Sequence, residues 1–188
     1  MLRKIKFKEF KDLYRKHIIK DFPKNERPNL EKFRKRILNN KEEIYIFEED
    51  KIDKGYCIIG KLSNYIFVDF LATFKETRGQ GIGTKMLKEL IEKYSNYNIL
   101  LEVEESESAK NEKEKNIREK RIRFYEKSNF KIIKGLKINY SNFVTFNLMI
   151  YPPNEINKQQ IQGILKQFYS NILDKKTLKN IKIKNIDI

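Results

Sequence analysis

The residues that decide the fold are Tyr65-Ile66-Phe67-Val68-Asp69-Phe70-Leu71-Ala72-Thr73 and, after a short connector, Arg78-Gly79-Gln80-Gly81-Ile82-Gly83. The first run is mostly apolar and predicts a strand, whereas the amphipathic segment from Gly83 to about Tyr94 predicts a helix. Glycine lets the backbone approach a ligand closely. The first turn of a helix carries unpaired N–H groups and a partial positive charge. The order of strand, glycine-rich turn and helix therefore predicts a site for phosphate or a similar anion.

A glycine turn of this kind can also be only a tight connection, and two common ligand-binding patterns do not fit it. A P-loop places Lys and then Ser or Thr directly after its last glycine, but Gly83 is followed by Thr84 and Lys85. A dinucleotide-binding fingerprint needs three spaced glycines after the strand and an acidic residue about 20 residues further on. Here an arginine precedes the glycines, and the last glycine lies at the start of the helix.

The arrangement Arg78-x-x-Gly81-x-Gly83 resembles the acyl-CoA-binding loop of the GNAT superfamily of N-acetyltransferases. The similar stretch runs from Leu71 to Leu87. Thr73 stands where valine is usual in the superfamily, and Lys75 stands where proline is common. Both changes leave intact a site that the resemblance assigns to backbone groups.

A second similarity lies downstream, in Arg123-Phe124-Tyr125-Glu126-Lys127-Ser128-Asn129-Phe130, which resembles the Phe-Tyr-Glu-Lys-x-Gly-Phe segment of the superfamily. Asn129 replaces the glycine, but asparagine tolerates a positive φ better than most residues. Arg118 stands where many members carry an asparagine that contacts the cofactor. The segment 22–27, Phe-Pro-x-x-Glu-Arg, resembles one set of bacterial GNAT proteins and extends the similarity over most of residues 7–150.

The resemblance implies an α/β fold of the GNAT type, in which helices flank a mixed, mostly antiparallel central sheet. Residues 1–152 would form the acetyltransferase domain, and residues 153–188 would form an extra C-terminal helix and a Lys-rich tail. In that fold the pantetheine of acetyl-CoA inserts like an additional strand. The resemblance therefore assigns the pantetheine to the backbone of Leu71, Ala72 and Thr73, and the pyrophosphate to Arg78, Gly79, Gln80, Gly81, Ile82, Gly83 and Thr84.

Acetyl transfer to an amine calls for a base that takes a proton from the amine and an acid that serves the departing thiolate. The resemblance places Tyr125 near the cofactor sulfur, where a phenol with a pKa near 10 suits the acid; the alternative is a core tyrosine. Asp69 either hydrogen-bonds within the sheet or is the base, because burial raises the pKa of a carboxyl group. Glu102 and Glu104 alternate and so share one sheet face, where they bind a cationic acceptor or face solvent.

We therefore expect an enzyme that moves an acetyl group from acetyl-CoA directly to an amine whose identity the sequence does not reveal. A non-catalytic CoA-binding or protein-interaction domain of the same fold is the alternative. A third interpretation is a nucleic-acid-associated protein, since the formal charge is +15. The lysines are spread along the chain rather than arranged in a basic stripe with aromatic residues, so nucleic acid is not the expected partner.

Apolar runs, the N-terminal residues and the cysteine and histidine content bear on the cellular compartment and on metal binding. No apolar run approaches the ~18 residues of a membrane span, and the charged N-terminal residues do not resemble a secretory signal. The single cysteine, Cys57, lies in a strand-like stretch and predicts a buried thiol. We expect a cytoplasmic protein without a membrane partner. The sequence shows no Cys/His cluster that would indicate a metal site.

Apolar spacing predicts the other elements. Helices are expected over residues 7–20, after Pro28, from about 118 to 127, and around 161–172. Strands are expected at 44–47 and 55–61, which form a hairpin, and at 98–104, 130–133 and 143–150. The charged run 105–115 predicts a solvated loop. The last helix either packs on the domain or forms a homodimer face, and the tail from Lys175 predicts a frayed end.

Overall fold

The computed structural model describes residues 1–24, 26–140, 144–153 and 157–186. The first elements are β1 (Leu2–Ile5), α1 (Phe7–Leu13), a π-helical turn (Tyr14–Ile18), α2 (Ile19–Asp21), α3 (Leu30–Leu38), β2 (Glu42–Glu49), β3 (Ile52–Leu62), β4 (Tyr65–Thr73), a 3-10 turn (Lys75–Thr77) and α4 (Ile82–Lys93). The later elements are β5 (Asn98–Glu104), α5 (Glu112–Glu126), β6 (Lys131–Tyr140), β7 (Val144–Tyr151), α6 (Lys158–Ile172), α7 (Lys175–Leu178) and β8 (Ile181–Asn185). The fold is α/β with a mostly antiparallel sheet, as expected.

Contacts divide the chain into two compact units. The first contains Met1–Lys61 and Val68–Ser95, and the second contains the described part of residues 62–67 and 96–188. Strand β4 therefore begins in the second unit and ends in the first. The domain boundary predicted at residue 152 stays a prediction. Across the described ranges, no helix has both the length and the apolar character that crossing a membrane requires.

In the first unit the strands follow the order β1-β2-β3-β4. Strand β2 pairs antiparallel with β1 and with β3, and the opposed pair Tyr45–Cys57 lies in the middle of the predicted hairpin. The hairpin is confirmed, and Cys57 is the buried thiol that the sequence predicted. Strand β1 was not anticipated, because four residues are too short to show a periodic pattern.

The N-terminal helices cover the apolar face of this unit. Phe10 and Ile18 are fully buried, and Phe10 meets Phe33 of α3 edge to face with ring centroids 5.1 Å apart. Helix α3 begins where the sequence suggests, because the side chain of Asn29 accepts a hydrogen bond from Lys32 N and so caps its first turn. The predicted segment 22–27 includes residue 25, which lies outside the described residues.

In the second unit the order is the first residues of β4, then β5-β7-β6-β8. Strand β7 pairs antiparallel with β5 and β6, and β8 pairs antiparallel with β6. Helix α6 buries its apolar face against these strands, and Ile161, Leu165 and Phe168 are at most 3% exposed. Of the two alternatives for this helix, the structure supports packing within its own unit. Residue 143 of the predicted strand 143–150 lies outside the described residues.

The expectation of a frayed tail is wrong for residues 175–186. Asp174 accepts a hydrogen bond from Thr177 N at 2.9 Å and caps α7. Strand β8 then pairs with β6, with Ile183 opposite Ile138. Ile181 and Ile183 alternate with exposed lysines and pack against the core of the unit. The high lysine content hid this period of two in the sequence.

The start of α5 was also predicted too late. The helix begins at Glu112, inside the run expected to be a solvated loop, because the side chain of Asn111 accepts from Glu114 N and caps it. Arg118 explains why so charged a segment is ordered. Its guanidinium donates to Glu105 O at 2.7 Å and to Ser108 Oγ at 3.0 Å, and it pairs with Glu114 at 2.6 Å.

The packing of β8 can be tested with a matched pair of substitutions. Ile183→Ser removes apolar contact with the core and should lower the free energy of unfolding by about 1–2 kcal/mol. Lys182→Ser, on the adjacent exposed position, should change it by less than about 0.5 kcal/mol. Urea unfolding of both variants measures the difference. Equal effects would mean that β8 does not pack in solution as described.

Candidate active site

The connection from β4 to α4 contains two glycines in the left-handed region. Gly79 has φ 79° and Gly81 has φ 75°, a conformation that residues with a Cβ rarely adopt. Neither position is crowded, since a Cβ added at either glycine would meet no atom within 4 Å. The backbone angle, rather than lack of space, therefore explains both glycines, and the predicted order of strand, glycine turn and helix is confirmed.

Helix α4 begins at Ile82 with an open N-terminus. Gly81 is its N-cap residue and supplies no side chain to bond the first amides, and the first turn contains no acidic residue. The amide of Lys85 donates to Gly81 O at 3.2 Å, so the helical amides before it have no partner within the helix. Unpaired N–H groups and the positive end of the helix dipole make this turn a site for an anion.

The turn is anchored on the start of β3. Phe74 N donates to Lys54 O at 2.8 Å. The hydroxyl of Thr77 donates to the same carbonyl at 2.8 Å and to Phe74 O at 3.0 Å. Since one carbonyl group holds both ends of the short 3-10 turn, the glycine segment starts from a fixed position.

The end of β4 lies very close to β3 and α4 at Gly55. A Cβ added at Gly55 would lie 2.7 Å from Ala72 O, 2.7 Å from Met86 Sδ and 3.1 Å from Thr73 Cα. This glycine lets the strand end and the helix approach β3. Leu71, Ala72 and Thr73 are half-buried there.

Arg78 forms an ion pair with Asp21, the last residue of α2. Its Nη2 pairs with Asp21 Oδ1 at 2.7 Å, and Tyr56 donates its hydroxyl to the other carboxylate oxygen at 3.1 Å. The Arg78 side chain is 55% exposed, and a guanidinium has five N–H donors. Arg78 can therefore keep the contact with Asp21 and still offer donors to a ligand.

Asp69 belongs to a cluster that sequence reasoning did not find. Arg36 Nη1 lies 3.0 Å from Glu42 Oε1 and 3.4 Å from Asp69 Oδ2. Burial raises the pKa of Asp69, and Arg36 and Glu42 partly oppose that rise. Asp69 is thus held by side chains from α3 and β2. Neither Arg36 nor Glu42 carries a local sequence signal, because both lie among other charged residues.

Tyr125 lies in the second unit, near the end of α5. Its side chain is buried, and Phe124 and Phe130 contact its ring edge to face at 4.9 and 5.8 Å between centroids. Burial raises its pKa to about 12. Among the described residues its hydroxyl has no hydrogen-bond partner, and its place beside the cofactor sulfur stays a prediction.

Glu102 and Glu104 are both half-buried and both engaged within the second unit. Glu102 accepts a hydrogen bond from Tyr140 at 3.1 Å and another from Tyr169 of α6. Glu104 pairs with Arg121 at 2.5 Å and with Arg118 at 3.4 Å. Both carboxylates are therefore partly exposed and held by side chains of their own unit. Their role toward an acceptor stays a prediction.

The predicted site residues divide between the two units. Asp69, Leu71–Thr73 and the glycine turn belong to the first unit, whereas Glu102, Glu104 and Tyr125 belong to the second. Taken alone, the first unit defines a class of protein: an α/β chain in which an uncapped helix N-terminus follows a strand and a glycine turn, an arrangement that suits an anionic ligand.

Comparisons with known proteins identify the family. Residues 40–132 match the family model described as "Acetyltransferase (GNAT) domain". A Bacillus subtilis protein named "Putative acetyltransferase YjbC" is 30% identical over 137 residues, which cover 70% of this chain and 68% of that protein. The chain belongs to the GNAT family of acetyltransferases.

Solved structures share the fold. A Bacteroides thetaiotaomicron protein titled "Putative acetyltransferase from GNAT family" has a TM-score of 0.77 at 20% identity and covers 90% of this chain and 96% of its own. The ribosomal-protein-S18-alanine N-acetyltransferase of Escherichia coli has a TM-score of 0.61 at 14% identity, with 84% and 96% covered. An aminoglycoside 6'-N-acetyltransferase complexed with coenzyme A has a TM-score of 0.57 at 14% identity, with 83% and 99% covered.

The close approach at Gly55 generates a prediction. Gly55→Ala should lower the free energy of unfolding by about 1–3 kcal/mol, because the added methyl group overlaps the backbone of Ala72. Gly163→Ala in α6 is the matched control. Its added methyl group meets no atom within 4 Å, so it should be neutral or stabilise by up to about 1 kcal/mol. Urea unfolding compares the two, and a harmless Gly55→Ala would contradict the tight packing.

Proposed function

We propose that this protein transfers an acetyl group from acetyl-CoA directly to an amine. The observation that carries the proposal is the uncapped N-terminus of α4 behind two left-handed glycines, in a chain of the GNAT family. A diphosphate group binds to several N–H donors, and the first turn of α4 has backbone N–H groups without partners in the helix. The fold relative complexed with coenzyme A supports the choice of donor.

The proposed donor site uses the backbone more than side chains. The amides of Gly79, Gln80, Gly81, Ile82, Gly83 and Thr84 would bind the pyrophosphate. Arg78 would add a charged contact with the donors that Asp21 leaves free. The backbone of Leu71, Ala72 and Thr73, at the end of β4, would bind the pantetheine amides. The formal charge of +15 would help to attract the anionic cofactor.

The proposed chemistry needs two proton transfers. The protonated amine loses one proton to a base, for which we propose Asp69, and its nitrogen then attacks the thioester carbonyl carbon. The carbon–sulfur bond breaks, the departing sulfur takes up the second proton from the nitrogen and leaves as the thiol, and Tyr125 donates a hydrogen bond to that sulfur. Because burial raises the pKa of Tyr125 to about 12, the phenol is a weak acid, and its main contribution is a hydrogen bond that strengthens as negative charge develops on sulfur.

For a cationic acceptor we propose Glu102 and Glu104, two half-buried carboxylates on one face of β5. Tyr140 and Tyr169 donate hydrogen bonds to Glu102, whereas Arg118 and Arg121 pair with Glu104. A carboxylate that keeps part of its surface accessible attracts a cationic amine. The cytoplasmic location and a homodimer stay predictions.

The donor site is tested by Gly81→Asp. An aspartate there is strained at φ 75° and places a negative charge beside the pyrophosphate, so the affinity for acetyl-CoA should fall at least tenfold, or about 1.4 kcal/mol. Gly163→Asp, at an exposed position in α6 of the second unit, adds the same charge outside the glycine turn and should leave affinity unchanged. Calorimetry measures both variants. Unaltered binding by a folded Gly81→Asp variant would refute the assignment.

The role of Tyr125 is tested by Tyr125→Phe, which keeps the ring and removes only the hydroxyl. Turnover should fall by at least ~10², while the affinity for acetyl-CoA stays nearly constant. Tyr151→Phe is the control, since that ring contacts the same cluster through Phe130 at 5.4 Å. A thiol-release assay over pooled amines finds the acceptor first. Acetyl-CoA binding without turnover of any amine would favour the non-catalytic CoA-binding domain.

A further inference from the structure

Three ionisable side chains of the first unit are buried together. Arg36 is 7% exposed, Glu42 is 0% exposed and Asp69 is 21% exposed, counting side-chain atoms. A single nitrogen, Arg36 Nη1, serves both carboxyl groups. If both carboxyls were ionised, two negative charges would face one positive charge with almost no water. A net charge buried in this way is costly unless a proton neutralises one carboxyl group.

The unpaired oxygen of Glu42 indicates where that proton is. Glu42 Oε1 accepts from Arg36, but no described residue supplies a hydrogen bond to the buried Oε2. The carboxyl group of Asp69 shares Arg36 Nη1 with Glu42, at 3.4 Å and 3.0 Å from that nitrogen, so it is the acceptor that a proton on Glu42 could reach. Two carboxyl oxygens can form a hydrogen bond only if one of them carries a proton, because an ionised carboxylate is an acceptor alone.

The difference in burial indicates which of the two carboxyl groups carries the proton. The more deeply buried group loses more solvation when it ionises, and Glu42 is fully buried whereas Asp69 reaches solvent. Burial raises the pKa of Glu42 well above its ordinary value, the charge of Asp69 raises it further, and Arg36 opposes both. The charged groups that act on Glu42 are thus Asp69 on β4 and Arg36 on α3.

We propose that Glu42 is a positioning residue, which keeps its proton in the folded protein and donates it in a hydrogen bond to Asp69. The proton and Arg36 together hold Asp69 as an anion in a site where burial alone would neutralise it. Asp69 lies two residues before Leu71 on β4. The role of Asp69 as a base rests on the proposed function, whereas the proton on Glu42 does not.

An ionised, half-buried Asp69 suits an acceptor that arrives as an alkylammonium ion. The N–H bond of the ammonium breaks and an O–H bond forms on Asp69, which frees the nitrogen lone pair for attack on the thioester carbon. Because burial raises the pKa of Asp69, it is a stronger base than an exposed aspartate. Glu42 limits that rise and so keeps the carboxylate free of its proton before the acceptor binds.

The protonation of Glu42 can be observed without any substrate. Carbon-13 labelling of glutamate side-chain carboxyls, with NMR spectra from about pH 5 to about pH 8, should show one signal that stays at the protonated position. That signal should be missing from Glu42→Gln. Gln replaces the O–H donor with an N–H donor of similar shape, so this variant should fold. A Glu42 signal at the ionised position throughout this range would overturn the proposal.

Stability gives a second readout with a defined sign. A carboxyl whose pKa is raised on folding loses its proton on unfolding above about pH 4.3, so it makes the folded protein less stable as the pH rises. Glu42→Gln has no ionisable group at this position, so this pH dependence of stability is absent from the variant. The unfolding equilibrium constant of the wild type should therefore rise relative to that of Glu42→Gln between about pH 5 and about pH 8. The ratio of the variant's constant to the wild-type constant should fall at least about tenfold, which corresponds to a pKa difference of one unit between the folded and unfolded states.

Glu43→Gln is the matched control. Burial opposes ionisation of Glu43, but Tyr45, Lys4 and Lys61 outweigh it and lower its pKa to about 2. Glu43 is therefore ionised in both the folded and the unfolded protein above about pH 5. The same ratio for Glu43→Gln should stay constant over that range, although the variant is less stable throughout. A constant ratio for Glu42→Gln as well would refute a retained proton.

Activity separates this inference from the proposed function. Once an acceptor is found, Glu42→Leu should move the acid limb of the kcat/KM profile to higher pH by about one unit, because Asp69 loses a hydrogen bond that stabilises its anion. Glu42→Gln should restore the wild-type profile. If Asp69→Asn retains full turnover, Asp69 is not the base and that part of the proposed function fails. The NMR signal of Glu42 would still decide the position of the proton.

Discussion

The left-handed backbone at Gly79 and Gly81 is the constraint on which the candidate donor site depends. It lets the chain leave β4 and enter α4 without a side chain over the first helical amides. Hydrogen bonds from Phe74 and Thr77 to the carbonyl of Lys54 fix where the turn begins. The turn that leads to the first amides of α4 therefore begins from a fixed position, and no side chain of the N-cap residue covers those amides.

The second constraint on this structure is the burial of charged side chains. The chain is rich in lysine, but the buried cations among the described residues are the arginines Arg36 and Arg118. A planar guanidinium offers five donors in a fixed geometry and can satisfy several acceptors at once, whereas an ammonium group is more strongly hydrated. Arg118 shows this, since it binds two acceptors in the 105–111 loop as well as carboxylates of β5 and α5. It orders the segment that leads into the helix of Tyr125.

The C-terminal elements from α6 to β8 pack as part of the second unit. Helix α6 supplies Leu165 and Phe168 to the core, and Tyr169 reaches the carboxylate of Glu102. Strand β8 then extends the sheet beside β6. One of the carboxylates proposed to meet the acceptor is therefore held by a helix that lies beyond the matched family domain, which ends at residue 132.

The sequence by itself determined the fold class, the β2–β3 hairpin, the strand–turn–helix unit and the family, because each rests on local patterns: alternation, helical spacing and glycines at fixed offsets. It did not reveal the start of α5 or strand β8, where frequent charges obscure both periods. The partners of Asp69, Glu102 and Glu104 were beyond its reach for another reason. Arg36 and Asp69 are 33 residues apart, and Glu102 and Tyr169 are 67 apart. Such pairs form only when the sheet and helices bring them together, so tertiary structure alone decided which carboxylates are buried, which are paired and which can hold a proton.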